Sequence, residues 1–449
     1  MNVKENYQSA LAYLYSFIDF SRSHQENISA ENFELARMAK FLRVLNNPHQ
    51  DYPSIHIAGT KGKGSVAALC AAALAQAGYK VGLYTSPHLE EFTERIQINA
   101  EPVSKPDFTA LVENIKPFVE QIPHLTSYEI QTALAFRHFS QQKVDIAVIE
   151  VGMGGRLDST NVITPLVSII TNISLDHTAI LGGSLAEIAR EKGGIIKPHV
   201  PVVVAKQEVE AARVLMEMAG AIGAPLVSVE DEIQVQAVEK NLDGQLVSLA
   251  WGRRPALRLS LGLLGPHQLE NAAAAYAALD LVGRAGFEIS PEAVQRGFAQ
   301  VRWPGRFEII NHQPPVIIDA AHNRESARVL ARTVEEYYPG LPVTLVFGAL
   351  ADKDIPGMFA ELLPGSSVLL LVRPDHPRAA SLESLRKLSK LSKDHALDVY
   401  EEAHMDKVWE RALALTGAHG LVLVTGSLTT IGELRSDWFK RHSSHPAQE

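Results

Sequence analysis

The chain has 449 residues, of which 46% are hydrophobic and 21% charged, and 51 acidic residues outnumber 42 basic ones. This length predicts two or three domains, and the composition excludes a disordered chain and a membrane bundle. The net charge of -9 disfavours nucleic acid and an anionic membrane as partners. A single cysteine, Cys70, excludes an internal disulfide, and the first residues do not resemble a signal peptide, so we expect a cytoplasmic protein.

Apolar runs alternate with helical stretches along the first part of the chain, which is typical of a parallel sheet covered by helices. The runs that suit buried strands are residues 54–58, 80–85, 144–150, 166–171 and 200–205. The predicted fold class is therefore α/β, and a phosphate-binding turn after the first run (described below) places a parallel-sheet nucleotide-binding domain here. Ligands of such sheets bind beyond the carboxyl ends of the strands, so we expect the functional residues directly after the strands.

The second part of the chain predicts a side sheet and then a second lobe. Residues 234–261 alternate between polar and apolar and predict antiparallel hairpins, and residues 268–282 predict an alanine-rich helix. We place a domain boundary after Arg306, which gives domains of residues 1–306 and 307–449. The second is predicted to be a smaller, Rossmann-like doubly wound sheet. Its predicted strands are residues 316–319, 343–348, 367–372, 397–400 and 421–425. Lysines at 387, 390 and 393 predict one solvated helix face.

The strongest local signal is the glycine-rich turn GTKGKGS at residues 59–65, between a buried strand and an alanine-rich helix. Such a turn points backbone N–H groups at a phosphate, and Lys63 would neutralise phosphate oxygens. The strict Walker A motif is not met, because Gly64 separates the lysine from Ser65. The alternative is a turn with two solvated lysines, but the order strand, turn, helix favours nucleotide binding.

Polar side chains follow two later strands. Glu150 ends the third apolar run, where an ion bridging nucleotide phosphates would need a carboxylate, and a glycine-rich loop follows it. The next strand leads to Asp176 and His177, and Lys192 comes further on. Magnesium prefers oxygen ligands, so the chemistry of the residues alone leaves His177 undecided.

Eight motifs spread over residues 35–431 resemble, in the same order, those of folylpolyglutamate synthases and dihydrofolate synthases, which belong to the Mur ligase superfamily. Together they are far more specific than any one of them. The motifs are GTKGKGS (59–65), YTSPHL (84–89), ERIQIN (94–99), EVGMGGRLDSTN (150–161), LDHTAILG (175–182), REKGGIIKP (190–198), PGRFE (304–308) and DAAHN (319–323).

The resemblance implies an ATP-dependent acid–amino-acid ligase that adds L-glutamate to a (tetrahydro)folate through an acyl phosphate. It leaves open whether the protein also makes dihydrofolate from dihydropteroate. It further implies ATP and two Mg²⁺ ions as cofactors, folate or dihydropteroate and L-glutamate as small-molecule substrates, a monomer, and ATP bound between the two lobes.

The resemblance also assigns roles to single residues. The nucleotide would be held by Thr60, Lys61, Gly62, Lys63, Gly64, Ser65, Asn271, Arg306, Asp319 and His322. Magnesium would be held by Ser86, Glu150, His177 and Lys192, the last being the lysine that the family carbamylates. The catalytic residues would be Lys63, Lys192, His177 and Arg306. The folate and glutamate would meet Ser86, Pro87, His88, Thr126, Tyr128, Glu129, Leu157, Asp158, Ser159 and Ser427.

Several of these assignments have structural alternatives. Tyr128 suits a core aromatic, His88 a loop histidine, and Ser427 the N-cap of the last helix. For the whole protein, one alternative is a Mur-type ligase with another substrate, which should lack SPHL together with ERIQIN. The other is a non-catalytic nucleotide-binding regulator, which would not need the combination of Glu150, His177, Lys192, Arg306 and Asp319.

Overall fold

The computed structural model describes residues 3–18, 34–390 and 397–443. The chain divides into two compact units. The first comprises Met1–His88, Phe92–Gly262 and His267–Arg302, and the second comprises Leu89–Glu91, Leu263–Pro266 and Trp303–Glu449. The domain boundary after Arg306 stays a prediction beside this division. Lys393 of the predicted lysine face lies outside the described residues.

The main sheet of the first unit has eight strands in the order β4-β3-β2-β5-β1-β6-β7-β8. Its strands are β1 (Ser54–Ala58), β2 (Val81–Tyr84), β3 (Ile96–Ile98), β4 (Glu101–Pro102), β5 (Ile146–Glu150), β6 (Val167–Ile170), β7 (Val202–Val204) and β8 (Leu226–Ser228). The helices of this part of the chain are α1 (Val3–Tyr15), α2 (Leu35–Val44), α3 (Lys63–Gln76), α4 (Lys105–Val119), α5 (Ser127–Gln142), α6 (Thr178–Leu181), α7 (Leu185–Gly193), α8 (Val209–Ala221) and α9 (Val229–Glu232).

The core of this sheet lies around β1, which pairs in parallel with β5 on one side and β6 on the other. Every residue of β1 and β5 is buried, as expected for strands covered by helices on both faces. Helix α3 packs here with Ala67, Ala68, Ala71 and Ala73 buried. The carboxyl ends of β1, β5 and β6 therefore lie side by side at one edge of the sheet.

The predicted antiparallel hairpins are confirmed. They form a sheet of β9 (Ile233–Asn241), β10 (Gly244–Trp251) and β11 (Leu257–Leu261), paired antiparallel in the order β11-β10-β9. Buried and partly exposed residues alternate along β10, so one face of the ribbon faces the core. Helices α10 (Pro266–Arg284) and α11 (Pro291–Gln300) follow.

The second unit contains a six-stranded sheet in the order β12-β13-β17-β14-β15-β16. Its strands are β12 (Glu308–His312), β13 (Pro315–Ile318), β14 (Val343–Phe347), β15 (Val368–Val372), β16 (Asp398–Glu402) and β17 (Leu421–Thr425). Its helices are α12 (Arg324–Tyr337), α13 (Ile355–Leu362), α14 (Leu382–Ser389), α15 (Val408–Thr416) and α16 (Leu428–Ser443). All pairings except β12 with β13 are parallel, so the α/β prediction is confirmed. No helix in the described ranges has both the length and the apolar character of a membrane span.

Candidate active site

The predicted phosphate turn connects β1 to α3 and depends on two glycines. Gly62 precedes the helix with φ +89°, and a Cβ there would lie 2.3 Å from Oδ1 of Asn271. A Cβ on Gly59, with φ +149°, would lie 1.8 Å from Oγ1 of Thr171. Both backbone conformation and space therefore require glycine. The structure thus brings Asn271, predicted to reach ATP, against the turn.

Hydrogen bonds show which backbone N–H groups of the turn are already used within the protein. The N–H groups of Thr60 and Lys61 both donate to the carbonyl of Asn172, at 2.8 and 3.3 Å, and the Thr60 hydroxyl donates to the Ser174 carbonyl. These groups hold the turn to the loop after β6. The N–H groups at the start of a helix have no acceptor within it, and the helix dipole attracts anions there. The predicted phosphate-binding part of the turn therefore narrows to residues 62–65 at the start of α3.

Glu150, at the end of β5, joins two predicted binding loops. Its Oε1 lies 3.8 Å from Nζ of Lys63, and its Oε2 accepts a hydrogen bond of 3.2 Å from the Ser86 N–H. The carboxylate is only 5% exposed. Register explains the position, because Glu150 pairs with Ile57 near the end of β1 and so lies beside the phosphate turn. The structure thus brings Lys63, Ser86 and Glu150 together.

Lys192, in the last turn of α7, is buried, and its Nζ donates a 2.8 Å hydrogen bond to the carbonyl of Gly59. Burial, and next the positive charge of Lys63, lower its pKa to about 7. In a large fraction of the protein molecules, Lys192 is therefore a neutral amine near neutral pH. A neutral amine can react with an electrophile such as CO₂, which an ammonium cannot.

Asp176 and His177 lie in the loop after β6. Asp176 forms an ion pair of 3.3 Å with Lys61, and Nε2 of His177 lies 3.9 Å from Oδ1 of Asp176. His177 adopts the left-handed conformation with φ +50° before α6. Its role as a metal ligand stays a prediction.

The donor atoms near Glu150 suit magnesium that is held largely by phosphate. Within residues 3–18, 34–390 and 397–443, no three His, Cys, Asp or Glu side chains group closely enough to form a metal site alone. Mg²⁺ typically takes one or two carboxylates and completes its shell with water and substrate phosphates. A single buried carboxylate beside the phosphate turn fits that pattern.

The SPH loop, which consists of Ser86, Pro87 and His88, begins two residues after the end of β2. Nδ1 of His88 accepts a 2.9 Å hydrogen bond from Nε of Arg95, whose Nη1 donates to Gln131. Burial and the adjacent Arg95 charge lower the pKa of His88 to about 3. The imidazole is therefore neutral and fixed in orientation, unlike that of a solvent-exposed loop histidine.

Thr126 and Glu129 form a capping box at the start of α5. The Thr126 hydroxyl accepts from the Glu129 N–H, and the Glu129 carboxylate accepts from the Thr126 N–H at 2.8 Å. Nε of Arg37 also binds both carboxylate oxygens of Glu129, at 2.9 and 3.0 Å. These residues stabilise the start of α5, and their contact with folate stays a prediction. Tyr128, on the same turn, stacks near Tyr84 and is partly exposed.

Leu157, Asp158 and Ser159 lie in the loop after β5. Asp158 is buried, and its carboxylate accepts hydrogen bonds from the N–H groups of Met153 and Thr160. Burial raises the pKa of Asp158, and these hydrogen bonds oppose the rise. The side chain therefore organises the loop, while Leu157 and Ser159 are partly exposed and available to a ligand.

In the second unit, the PGRFE and DAAHN motifs meet. The Asp319 carboxylate accepts from the N–H groups of Phe307 and Ala321, at 2.8 and 2.9 Å, and so fixes the backbone beside Arg306. The Ala320 N–H donates to the carbonyl of Gly305. His322 precedes α12, and its Nδ1 lies 2.9 Å from the Ala320 carbonyl oxygen. Arg306, Asp319 and His322 are thus brought into one loop cluster.

Ser427 is the N-cap of α16, because its hydroxyl accepts from the Thr430 N–H at 3.1 Å. It is 3% exposed and also bonds the Thr430 hydroxyl. The structural alternative is therefore the one that the hydrogen bonds support. A contact with glutamate stays a prediction.

Sequence reasoning missed two residues beside the site. His56 lies in β1 with its imidazole bonded to the Thr160 hydroxyl, and neither residue was assigned a role. The available signal was a histidine inside an otherwise apolar strand.

Residues 57–279 match the Mur ligase middle domain, and residues 305–428 match the Mur ligase glutamate ligase domain. A dihydrofolate synthase/folylpolyglutamate synthase of Bacillus subtilis is 36% identical over 89% of this chain and 94% of the relative. This chain belongs to the folylpolyglutamate synthase/dihydrofolate synthase family of Mur ligases.

Solved structures of family members share the fold. Mycobacterium tuberculosis folylpolyglutamate synthase, complexed with ADP and AMPPCP, superposes with a TM-score of 0.87 at 31% identity, covering 97% of this chain and 98% of that one. Escherichia coli FolC, in complex with DHPP and ADP, gives a TM-score of 0.84 at 31% identity, with the same coverage. Family members with this fold thus bind adenine nucleotides.

Proposed function

We propose that this protein is an ATP-dependent ligase that joins L-glutamate to a folate. The observation that carries the proposal is the position of Glu150, which lies against Lys63 of the phosphate turn and accepts from the backbone of Ser86 in the SPH loop. A loop suited to the nucleotide and a loop suited to the acid that it activates therefore meet at one carboxylate.

The reaction consists of two transfers. The γ-phosphoryl group passes from ATP to a carboxylate oxygen of the folate, and ADP leaves. The amino group of glutamate then attacks the acyl carbon, an amide bond forms, and phosphate and a proton leave. The chain contributes mainly position and charge, as is usual in phosphoryl transfer.

Particular residues supply that position and charge. The N–H groups of residues 62–65 bind phosphate oxygens, and the Lys63 ammonium compensates charge that develops on the transferred group. Asn271, which lies against the turn, is proposed to bind the nucleotide. Arg306 is proposed to bind the nucleotide as well, and Asp319 fixes the backbone at the next residue, Phe307. His322 acts near the phosphates or the incoming glutamate.

Magnesium is part of the proposal. Glu150 and Ser86 would hold it, with His177 as a third ligand, and bound Mg²⁺ would neutralise phosphate charge. A carbamate on Lys192 would turn the buried amine into an oxygen donor for a second ion. The lowered pKa of Lys192 supports this, because carbamate forms on a neutral amine.

The folate side of the proposal rests on residues at three loops. Ser86, Pro87 and His88, then Tyr128, and then Leu157 to Ser159 would surround the pterin and its acid. Relatives named as both dihydrofolate and folylpolyglutamate synthases favour activity on dihydropteroate as well. We further propose a monomer that works in the cytoplasm.

The experiment that tests substrate scope offers dihydropteroate and tetrahydrofolate separately with ATP, magnesium and isotope-labelled glutamate. Products are identified by mass. We expect at least one labelled glutamate to be added to each acceptor. Transfer of glutamate to neither acceptor, by protein that binds ATP, would contradict the proposal.

A further inference from the structure

His56 is a buried histidine at the centre of the main sheet. It is fully buried in β1, where it pairs with Ile149 of β5 on one side and Ser168 of β6 on the other. Its Nε2 lies 2.8 Å from Oγ1 of Thr160, and its buried Nδ1 has no hydrogen-bond partner. Burial and the nearby Lys197 charge lower the pKa of His56 to about 3, so the imidazole is neutral.

The hydrogen bonds fix the direction of donation. The Thr160 hydroxyl donates to Oδ1 of Asp158 at 2.5 Å, and the same carboxylate accepts from the N–H groups of Thr160 and Met153. A hydroxyl has one proton, so Oγ1 of Thr160 must accept from His56. His56 is therefore the tautomer with the proton on Nε2, and an imidazolium would leave a buried Nδ1–H without an acceptor.

The hydrogen bonds from His56 to Thr160 and from Thr160 to Asp158 hold the loop that follows Glu150. Asp158 ties residue 153 to residue 160 across the loop, which also contains Leu157 and Ser159. The ring of Tyr128 lies against the loop, since a Cβ on Gly152 would come 2.5 Å from the Tyr128 hydroxyl. The loop and Tyr128 are two of the three places assigned to the folate in the proposed function.

We propose that His56 is a positioning residue for substrate binding: by donating to Thr160 it holds the hydroxyl toward Asp158 and so fixes the loop of residues 152–161 for the folate acid. This inference rests on the proposed function. It predicts that the donor on His56 and the hydroxyl on Thr160 affect the affinity for the folate and not the affinity for the nucleotide, since residues 59–65 take no part in these hydrogen bonds.

The test uses matched variants of both partners of the hydrogen bond between His56 and Thr160. Thr160→Val removes the hydroxyl at nearly constant volume, and Thr160→Ser keeps it. We expect the KM for the folate to rise roughly tenfold in the valine variant and to stay within about twofold in the serine variant, with the KM for ATP unchanged in both. His56→Leu should behave like the valine variant, and His56→Gln, which keeps a donor, should recover most of the affinity.

The outcomes separate this inference from the proposed function. Wild-type protein without folate- and glutamate-dependent turnover would overturn the proposed function. Active wild-type protein, with valine and serine variants of equal folate KM, would overturn the positioning role alone. A parallel rise in the KM for ATP and for folate would also overturn it, because that is what general loosening of the sheet produces.

A second measurement reports on His56 in the wild-type protein itself, and the variants serve only to assign its signal. Nitrogen NMR of wild-type protein with labelled histidine reports which imidazole nitrogen carries the proton. We expect His56, assigned by its loss in His56→Gln or His56→Leu, to keep a protonated Nε2 and a bare Nδ1 between about pH 5 and about pH 8. A proton on Nδ1 would contradict the proposed chain of hydrogen bonds.

Discussion

Glu150 shows how one residue obtains its role from its register. Strand β5 pairs in parallel with β1, so Glu150, its last residue, lies beside the turn that follows β1. Burial then keeps the carboxylate away from bulk water. In this buried position the carboxylate interacts more strongly with Lys63 and with a bound cation than it would in water. A strand-end glutamate without this neighbour would be an ordinary solvated side chain.

Glu150→Gln removes this charge and keeps the shape of the side chain. The amide oxygen can still accept from the Ser86 N–H, so the free energy of unfolding should change little. We expect kcat/KM to fall roughly a hundredfold, the scale of losing one electrostatic stabiliser of phosphoryl transfer. Steady-state rates and their magnesium dependence provide the measurement, with Glu101→Gln on the exposed strand β4 as the control. Full activity with unchanged magnesium dependence would show that Glu150 is misassigned.

The buried His56 predicts a pH effect on stability. Its folded pKa of about 3 lies below the ordinary value of 6.5, so the folded state binds fewer protons. The stability that follows is complete above pH 6.5 and is lost as the pH falls toward 3. Between about pH 7.5 and about pH 5.5, this one residue should lower the free energy of unfolding by about 1.4 kcal/mol.

Denaturant unfolding of wild type and His56→Gln at the two pH values isolates this contribution. The acid-induced loss in the variant should be smaller than in wild type by that amount, because glutamine does not titrate. His88 and other buried histidines remain in both proteins and cancel in the comparison. An equal loss in both proteins would mean that His56 is not held neutral.

Among single residues, the sequence predicted those whose residue type and position after a strand indicate their chemistry. Lys63 and Glu150 follow strands in a pattern that favours phosphate and metal, and the structure brings them within 3.8 Å. His56 could not be predicted in the same way, because its partner Thr160 is 104 residues away and only the fold brings them together. The engagement of Glu129 by Arg37 was hidden for the same reason.

Among the elements, the turn between β1 and α3 depends most on a single residue type. Gly62 has φ +89° and little room because of Asn271, and both conditions exclude a side chain. Gly283, within α10, has a helical conformation, and a Cβ there would meet no atom within 4 Å. The two glycines therefore form a natural pair for comparison.

Gly62→Ala should raise the KM for ATP at least tenfold and lower the free energy of unfolding by about 1–3 kcal/mol, since backbone strain and a clash arise together. Gly283→Ala should leave the KM unchanged and stabilise the protein by about 0.5–1 kcal/mol. Denaturant unfolding and rates at varied ATP concentration measure both effects. Equal behaviour of the two variants would show that the turn is not built as described.

The elements themselves were predictable where an apolar run was long enough. Strands β1 and β17 have the predicted bounds, and β2, β5, β6 and β7 fall within theirs. Strands β3 and β4 were missed because they have three and two residues, too few for a period to show. Strand β12 was missed because Glu308, Asn311 and His312 make it polar.

For the whole molecule, the order of motifs along the chain carried more information than any element did. It predicted the family, which the match of 89% of the chain to a relative establishes. Strand order in the main sheet, with β1 between β5 and β6, was not predictable, because it depends on pairing between distant segments. The two motifs of the second unit were likewise predicted separately, and the structure shows that Asp319 joins them.

The measurement that tests the central claim most directly is ADP release with each substrate omitted in turn. The account predicts rapid release only when ATP, magnesium, glutamate and a folate acceptor are all present, with one amide product formed per ADP. Release that continues at the same rate without glutamate or without the acceptor would contradict it, because the phosphoryl group would then not be activating an acid for amide formation.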